Sequence, residues 1–415
     1  MTPNIFIWII ALLVIFLIII RPFKLSEAYW AVAGAALLVI FRLITPVDAL
    51  DGVTKGLDVY LFLAGMMLMA EVAREAKLFA WLATLAVSFS KGSPRKLFLL
   101  VYVVGIATTT FLSNDATAVV LTPAVFAAAK AANVKNVLPY LLICAFIANA
   151  ASFVLPISNP ANLVIYGDKL PPLLSWLRQY TIPSLVSILI TYLALYYTQR
   201  KSLAGSIETN ISIPALSPAG KLAGTGILLS ALVLTICSAL DIALGLPTAI
   251  TGLLIFVVVT TGCGLQPASI IRQVSWAVLP MVAGLFVIVE GLTKTGVLAF
   301  AENWLTHNSR ESAGATTWLS GLGIAFISNI MNNLPSGLIA GNAVQAAAVP
   351  EIIQRSVLIG VDLGPNLSVT GSLATILWLI VLRREGEDIS AWQFLKTGLV
   401  VMLPALLATL ATLWI

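Results

Sequence analysis

Histidine occurs once in this chain, at His307, and cysteine three times, at Cys144, Cys237 and Cys263, with no C-x-x-C spacing. A zinc site and a disulfide framework are thereby excluded, and the three thiols read as small apolar residues within apolar segments. Charged residues make up only 10% of the sequence. No tract of lysine or arginine is present, so nucleic acid is not an expected partner, and no cofactor is expected. An intramembrane hydrolase or transferase would need a nucleophile with a base, or metal ligands. The sole histidine lies in the polar stretch 306–312, which reads as a solvated loop, so the chain is not expected to be an enzyme.

Apolar sequence is what the chain has in excess. A hydrophobic content of 60% over 415 residues exceeds what a soluble domain of this length buries, which makes it a polytopic membrane protein. Many runs approach the roughly 20 residues an α-helix needs to cross the bilayer, and the alternation of a β-barrel is missing. Spans are expected near residues 5–20, 28–44, 57–73, 136–155, 172–197, 222–240, 248–262, 276–292, 355–382 and 394–415, with broken apolar stretches at 105–130 and 317–348 and a shorter interfacial piece at 78–89. The first run lacks a preceding basic residue and a small-residue cleavage site, and reads as a span, not a cleaved signal. Trp8, Trp30, Trp81, Trp176, Trp276 and Trp304 fall near span ends and read as interface anchors.

Four of these runs are interrupted. The stretch 105–130 is broken by Ser113-Asn114-Asp115-Ala116-Thr117, and the run from 136 by Pro156 to Asn162. Later runs are broken by Asn329, Asn332, Asn333 and Pro335, and by Asp362, Gly364, Pro365, Asn366, Gly371 and Ser372. An aspartate in hydrocarbon costs about 2.5–3.5 kcal/mol, so such clusters persist where they line a protein or water cavity.

The interruptions recur in the same order in both halves. Ala64-Gly65 and Glu71 align with Ala283-Gly284 and Glu290, Asn114-Asp115 with Asn332-Asn333, Asn149 with Asp362, and Asn159 with Ser372. Residues 1–198 are therefore read as a first repeat, 199–221 as a cytoplasmic linker and 222–415 as a second repeat. With five transmembrane helices in each, one re-entrant hairpin and one broken helix per repeat, the repeats must have inverted topology. Under that layout sixteen of the 23 basic residues fall on one face, which the positive-inside rule makes cytoplasmic, leaving both termini outside.

Paired interruptions in inverted repeats mark a secondary transporter with a site near the midplane. The substrate-binding candidates are Ser113, Asn114, Thr117, Ser158, Asn159 and Asn162 from the first half, with Asn332, Asn333, Asn366, Thr370 and Ser372 from the second. None of the breaks contains lysine or arginine, so a neutral polyhydroxyl solute suits them better than a dianion. Asp115 and Asp362 are the candidate proton carriers, because a bare carboxylate is expensive to hold in the membrane interior. Glu71 and Glu290 read as solvated helix ends beside Arg74 and Lys294.

Ser113-Asn114-Asp115-Ala116-Thr117, Ile330-Met331-Asn332-Asn333-Leu334-Pro335 and Asp362-Leu363-Gly364-Pro365-Asn366, followed by Gly371-Ser372-Leu373-Ala374-Thr375, resemble the arsenite/antimonite efflux permeases (ArsB family) of the ion transporter superfamily. The resemblance covers essentially the whole chain. It implies export of As(III) and Sb(III) hydroxides across a prokaryotic inner membrane in exchange for protons, sometimes with a soluble cytoplasmic ATPase subunit. It also implies two inverted repeats whose hairpins and unwound helices meet at the substrate. Dicarboxylate relatives carry Ser-Asn-Thr at the hairpin tips, which this chain lacks. A Na+-coupled carboxylate or anion transporter and a Na+/H+ antiporter of the same fold remain open alternatives.

Overall fold

A computed structural model describes residues 3–20, 22–208 and 215–415, and these form helices with no strand among them. The first half comprises α1 (Pro3–Ile20), α2 (Glu27–Ile40), α3 (Pro46–Lys55), α4 (Leu57–Glu75), α5 (Leu78–Phe89), α6 (Pro94–Phe111), α7 (Asn114–Ala116), α8 (Thr122–Ala131), α9 (Leu138–Ala150), α10 (Pro160–Tyr166) and α11 (Leu173–Gln199). The second comprises α12 (Pro218–Ala239), α13 (Gly245–Cys263), α14 (Pro267–Gln273), α15 (Val278–Lys294), α16 (Val297–Glu311), α17 (Ala313–Met331), α18 (Asn333–Ala347), α19 (Glu351–Leu363), α20 (Leu373–Arg384) and α21 (Ala391–Ala411).

Among the described residues, six stretches are long and apolar enough to cross a membrane: Pro94–Phe111, Leu173–Gln199, Pro218–Ala239, Gly245–Cys263, Pro267–Lys294 and Ala391–Trp414. Pro46–Lys55 with Leu57–Glu75, bent by 47°, makes a seventh if taken as one span, and α2, α5 and α9 are shorter apolar helices. Long helices such as α12 and α13 leave leucines exposed on their outer faces, as lipid-facing helices do. By contrast α9, apolar on every side apart from Tyr140 and Asn149 near its ends, is buried from Pro139 to Ala150, which puts it at the centre of the bundle.

Small residues set the closest crossings. A Cβ on Gly65 would lie 2.3 Å from the Thr248 carbonyl oxygen, and one on Gly252 would lie 2.6 Å from that of Gly65, so α4 and α13 meet backbone to backbone. Gly284, aligned with Gly65 in the sequence repeat, does the same for α15 against α2, where a Cβ would come within 2.7 Å of the Ala31 backbone. Gly65→Val must push α4 off α13. The expected result is a loss of about 1–3 kcal/mol, the usual penalty of overpacking, read as a lowered thermal midpoint in detergent.

Several local expectations need correction. The run 136–155 is helical only from Leu138 to Ala150; the chain turns over 151–155, and Leu155, which precedes Pro156, is extended (φ −122°, ψ 155°), so the helix does not resume before the proline. Residues 306–311 belong to α16, so His307 is helical and not in a loop; it is solvent-exposed and lies 3.2 Å from Glu311. Trp176 is fully buried, its Nε1 donating to the Phe153 carbonyl at 3.1 Å, and is no interface anchor. Glu71 is buried and paired with Arg74, which also binds Gln273; neutralisation by that cation explains how an acid ends up under α14. Glu290, half-buried, pairs with Lys55 at 2.7 Å. The segment read as the linker, 199–221, falls between α11, which runs to Gln199, and α12, which begins at Pro218; part of it, 209–214, lies outside the described residues.

Candidate functional site

Each of the four sequence interruptions ends at a polar residue that caps a new helix. Ser113 is extended after the turn at Leu112 and its Oγ accepts from the Ala116 amide at 3.1 Å. Asn332, at φ 74° and ψ 151°, occupies a conformation glycine favours, and its Oδ1 accepts from the Leu334 amide. Asn159 caps α10 through the Ala161 amide at 3.0 Å, and Ser372 caps α20 through the Thr375 amide at 3.1 Å. A side-chain oxygen at such a position satisfies a helix amide that has no partner within its own helix.

The two hairpins are built alike. In the first, Thr109 of α6 and Thr117 join hydroxyls at 2.8 Å across the turn, and Thr117 Oγ1 also donates to the Ser113 carbonyl. In the second, Ser328 of α17 and Ser336 of α18 do so at 2.9 Å, and Ser336 donates to the Asn332 carbonyl at 2.7 Å.

Between the halves the interrupted helices make a second matched set. Asn159 Nδ2 donates to Asp362 Oδ1 at 2.8 Å, and Ser372 Oγ donates to Asn149 Oδ1 at 3.2 Å. These are the positions the sequence repeat aligns, with partners exchanged. Asn149 Nδ2 further reaches Asn366 Oδ1 at 3.0 Å and Thr375 Oγ1 at 3.3 Å, while Asn366 donates to the Phe146 carbonyl at 3.1 Å. Asn149, Asn159, Asp362, Asn366, Ser372 and Thr375 are all buried. The second hairpin tip joins this set through the Asn333 amide, which donates to the Gly371 carbonyl at 2.9 Å, and through Asn332 Nδ2 to the Thr370 carbonyl. Thr370 Oγ1 donates to the Asn329 carbonyl at 2.8 Å, and Ser158 Oγ to that of Thr110 at 3.1 Å. Asn162 Nδ2 closes the first break on the Ser152 carbonyl at 2.8 Å.

The two acids differ. Asp362 is fully buried; Ser152 lies beside it, but that hydroxyl donates to the Asn149 carbonyl at 2.7 Å, and Asp362 Oδ2 has no hydrogen-bond partner among the described residues. Asp115 is half-buried in the first turn of α7, and its carboxylate accepts no hydrogen bond among the described residues. Ser113, Asn114 and Thr117 bond within their own hairpin, and α7 packs against α9 and α20. An apolar recess lies beside the second tip, where Ile15, Met281, Leu285, Met331, Leu373 and neighbours surround Asn332. Cys144 is buried, Cys237 and Cys263 are half-buried, and all three are free.

Asn149, Thr375, Asn329 and Ser368 enter the network without having been singled out as site residues. Asn149 could have been found, since the repeat aligns it with Asp362. Ser368, whose hydroxyl donates to Asn329 Oδ1 at 2.6 Å, gives no comparable signal.

A membrane-embedded helical bundle in which hairpin tips and interrupted helices gather small polar side chains in the interior is the architecture of a transporter. The chain belongs to the citrate transporter (CitMHS) family, whose family model matches residues 14–381. It is 28% identical to the arsenical pump membrane protein of Escherichia coli K12, with 97% of each chain covered. Among solved structures it shares the fold of the YdaH transporter of Alcanivorax borkumensis, at a TM-score of 0.54 and 13% identity over 99% of this chain and 97% of that one. A similar match, at a TM-score of 0.52 and 14% identity over 88% and 82% of the two chains, is to MtrF of Neisseria gonorrhoeae, described as illuminating a class of antimetabolite efflux pumps.

Proposed function

We propose that the protein exports arsenite and antimonite, as the neutral hydroxides As(OH)3 and Sb(OH)3, in exchange for protons. One observation carries the reading. The two hairpin tips and the two helix breaks present amides, hydroxyls and two acids, with no lysine, arginine or histidine among them. Such groups donate and accept hydrogen bonds equally, as a trihydroxide requires. The similarity to an arsenical pump membrane protein over nearly the whole chain supports the same substrate.

The family description, citrate transporter, favours a second reading, a carboxylate transporter, which we would take to be coupled to Na+. Citrate would bring several negative charges to a region that has no cationic side chain, which is why the neutral substrate is preferred.

The substrate would be held by Ser113, Asn114, Thr117, Ser158, Asn159, Asn332, Asn333, Asn366, Thr370 and Ser372, with Asp115 and Asp362 carrying protons. Two inverted repeats, 1–198 and 222–415, account for the matched hairpin ties and for the exchanged partners Asn159–Asp362 and Ser372–Asn149. Contacts between distant segments join groups that the charge count assigns to the same face. Lys55 with Glu290 and Lys294 with Asp48 join ends assigned outside. Arg74 with Gln273, and Ile207 and Glu208 with the carbonyls of Gly92 and Ala132, join ends assigned to the cytoplasm. We assign the protein to a prokaryotic inner membrane, with both termini outside and the linker free to meet a soluble ATPase subunit.

A neutral solute gains nothing from the membrane potential, whereas exchange for one entering proton draws about 2.3 kcal/mol per 100 mV. At about 1.4 kcal/mol per decade, that sustains roughly a fifty-fold gradient. Everted vesicles holding the protein are expected to accumulate arsenite when energised, to lose that uptake with a protonophore, and to ignore both sodium and excess citrate. Sodium-dependent uptake blocked by citrate would overturn the assignment in favour of the carboxylate reading.

A further inference from the structure

We infer that the buried pair Tyr166–Tyr180 passes protons between the protein face at Glu351 and the buried carboxyl group of Asp362, an inference that rests on the proton-exchange reading above. The two phenol oxygens are 2.6 Å apart in the interior. Tyr166 ends α10, the helix whose cap, Asn159, holds Asp362; Tyr180 comes from α11. The charged and titratable groups bearing on Tyr166 are Tyr180, Glu351 and Arg355, and those bearing on Tyr180 are Tyr166, Arg355 and Asp362. Glu351 opens α19 and Asp362 stands near its end, roughly 16 Å of helix rise apart. Gln179, one residue before Tyr180, binds Glu351, and Asn159, at the other end of α10 from Tyr166, binds Asp362, so the pair is tied to both ends of α19.

Its surroundings fit a path and not merely a packing contact. Glu351 binds Gln179, and Arg355 donates to the Gln179 carbonyl at 2.7 Å with its guanidinium 6.0 Å from the Tyr180 ring centre. These contacts tie the start of α19 to α11 at the face where a proton would enter. At the inner end, Asp362 Oδ2 is buried and has no hydrogen-bond partner among the described residues. The rings themselves are held by Trp176, whose centroid is 5.6 Å from that of Tyr166 and 4.4 Å from that of Tyr180. Each hydroxyl is satisfied mainly by the other, and replacing both members of such a pair by apolar groups of the same shape is nearly neutral for stability. Packing alone therefore gives no reason for two phenols where two phenylalanines would fit.

In the relay, an incoming proton bonds to the Tyr166 oxygen as that oxygen's own proton passes to Tyr180. Tyr180 in turn gives up its original proton, through water, to Asp362 Oδ2. Every O–H bond broken is replaced by one formed, both phenols end neutral, the carboxyl group ends protonated, and no electron changes hands.

The test is Tyr166→Phe/Tyr180→Phe in the full-length protein, reconstituted beside wild type. Proton-driven arsenite uptake is expected to fall about 100-fold, the lower end of what a positioned proton-transfer group contributes. Exchange of internal for external arsenite without a gradient, which needs no net proton movement, is expected to stay at the wild-type rate. Wild-type proton-driven uptake in the double variant would overturn the relay. So would parallel loss of both rates, which would reduce the pair to a packing role. Absence of proton-driven uptake in wild type is a different outcome, and removes the antiport reading itself.

Discussion

Asp362→Asn is expected to leave a folded protein that exchanges arsenite across the membrane but no longer concentrates it. The substitution is nearly isosteric, and the new Oδ1 can still accept from Asn159 Nδ2, which now sits 2.8 Å from the carboxylate. What is removed is the ability to bind and release a proton. The roughly fifty-fold accumulation that one proton per solute sustains at 100 mV should therefore collapse to about one, and the dependence of uptake on external pH should flatten. Asp362→Ala makes the contrast. It strands the buried Asn159 amide and should lower stability by about 1–3 kcal/mol, visible as an earlier thermal midpoint that Asp362→Asn does not show. Concentrative, pH-dependent uptake by Asp362→Asn would remove this residue from the proton route.

The features legible in the sequence were those written in local order. The short apolar piece read at 78–89 has the bounds of α5, and the four polar interruptions fall where the helices stop, because an amide, hydroxyl or proline inside an apolar run changes the local backbone whatever surrounds it. The repeat alignment carried further. It aligned Gly65 with Gly284, which occupy like crossings, and Asn149 with Asp362, each of which bonds with the opposite break.

Tertiary partners were not legible. Glu71 looks like a solvated helix end until Arg74 and Gln273 are seen to cover it, and Trp176 looks like an anchor until Phe153 supplies its acceptor. The same limit applies at the first hairpin. Nothing in Ser113-Asn114-Asp115 reveals that its polar groups bond among themselves while the second tip reaches across to Gly371.

That difference between the tips sharpens the expectation for Asp115→Asn. The residue lies in the first turn of α7, where a negative charge is favoured by the helix dipole, yet Ser113 already provides the cap, so the amide should fold as the acid does. With its carboxylate half-buried and unbonded, Asp115 is the acid a proton can reach without disturbing the cross-half contacts. Everted vesicles carrying Asp115→Asn are expected to lose proton-driven arsenite uptake by about 100-fold, the scale of a lost proton-transfer group. If Asp115 and Asp362 serve one proton route, the two losses will not add, since groups that act as a unit are non-additive. Asp115→Asn/Asp362→Asn should then be no slower than the slower single variant. Losses that multiply would mean two independent routes and a higher proton count per solute. A wild-type rate for Asp115→Asn would leave coupling to Asp362, where the only acid in the network between the two breaks is held by Asn159.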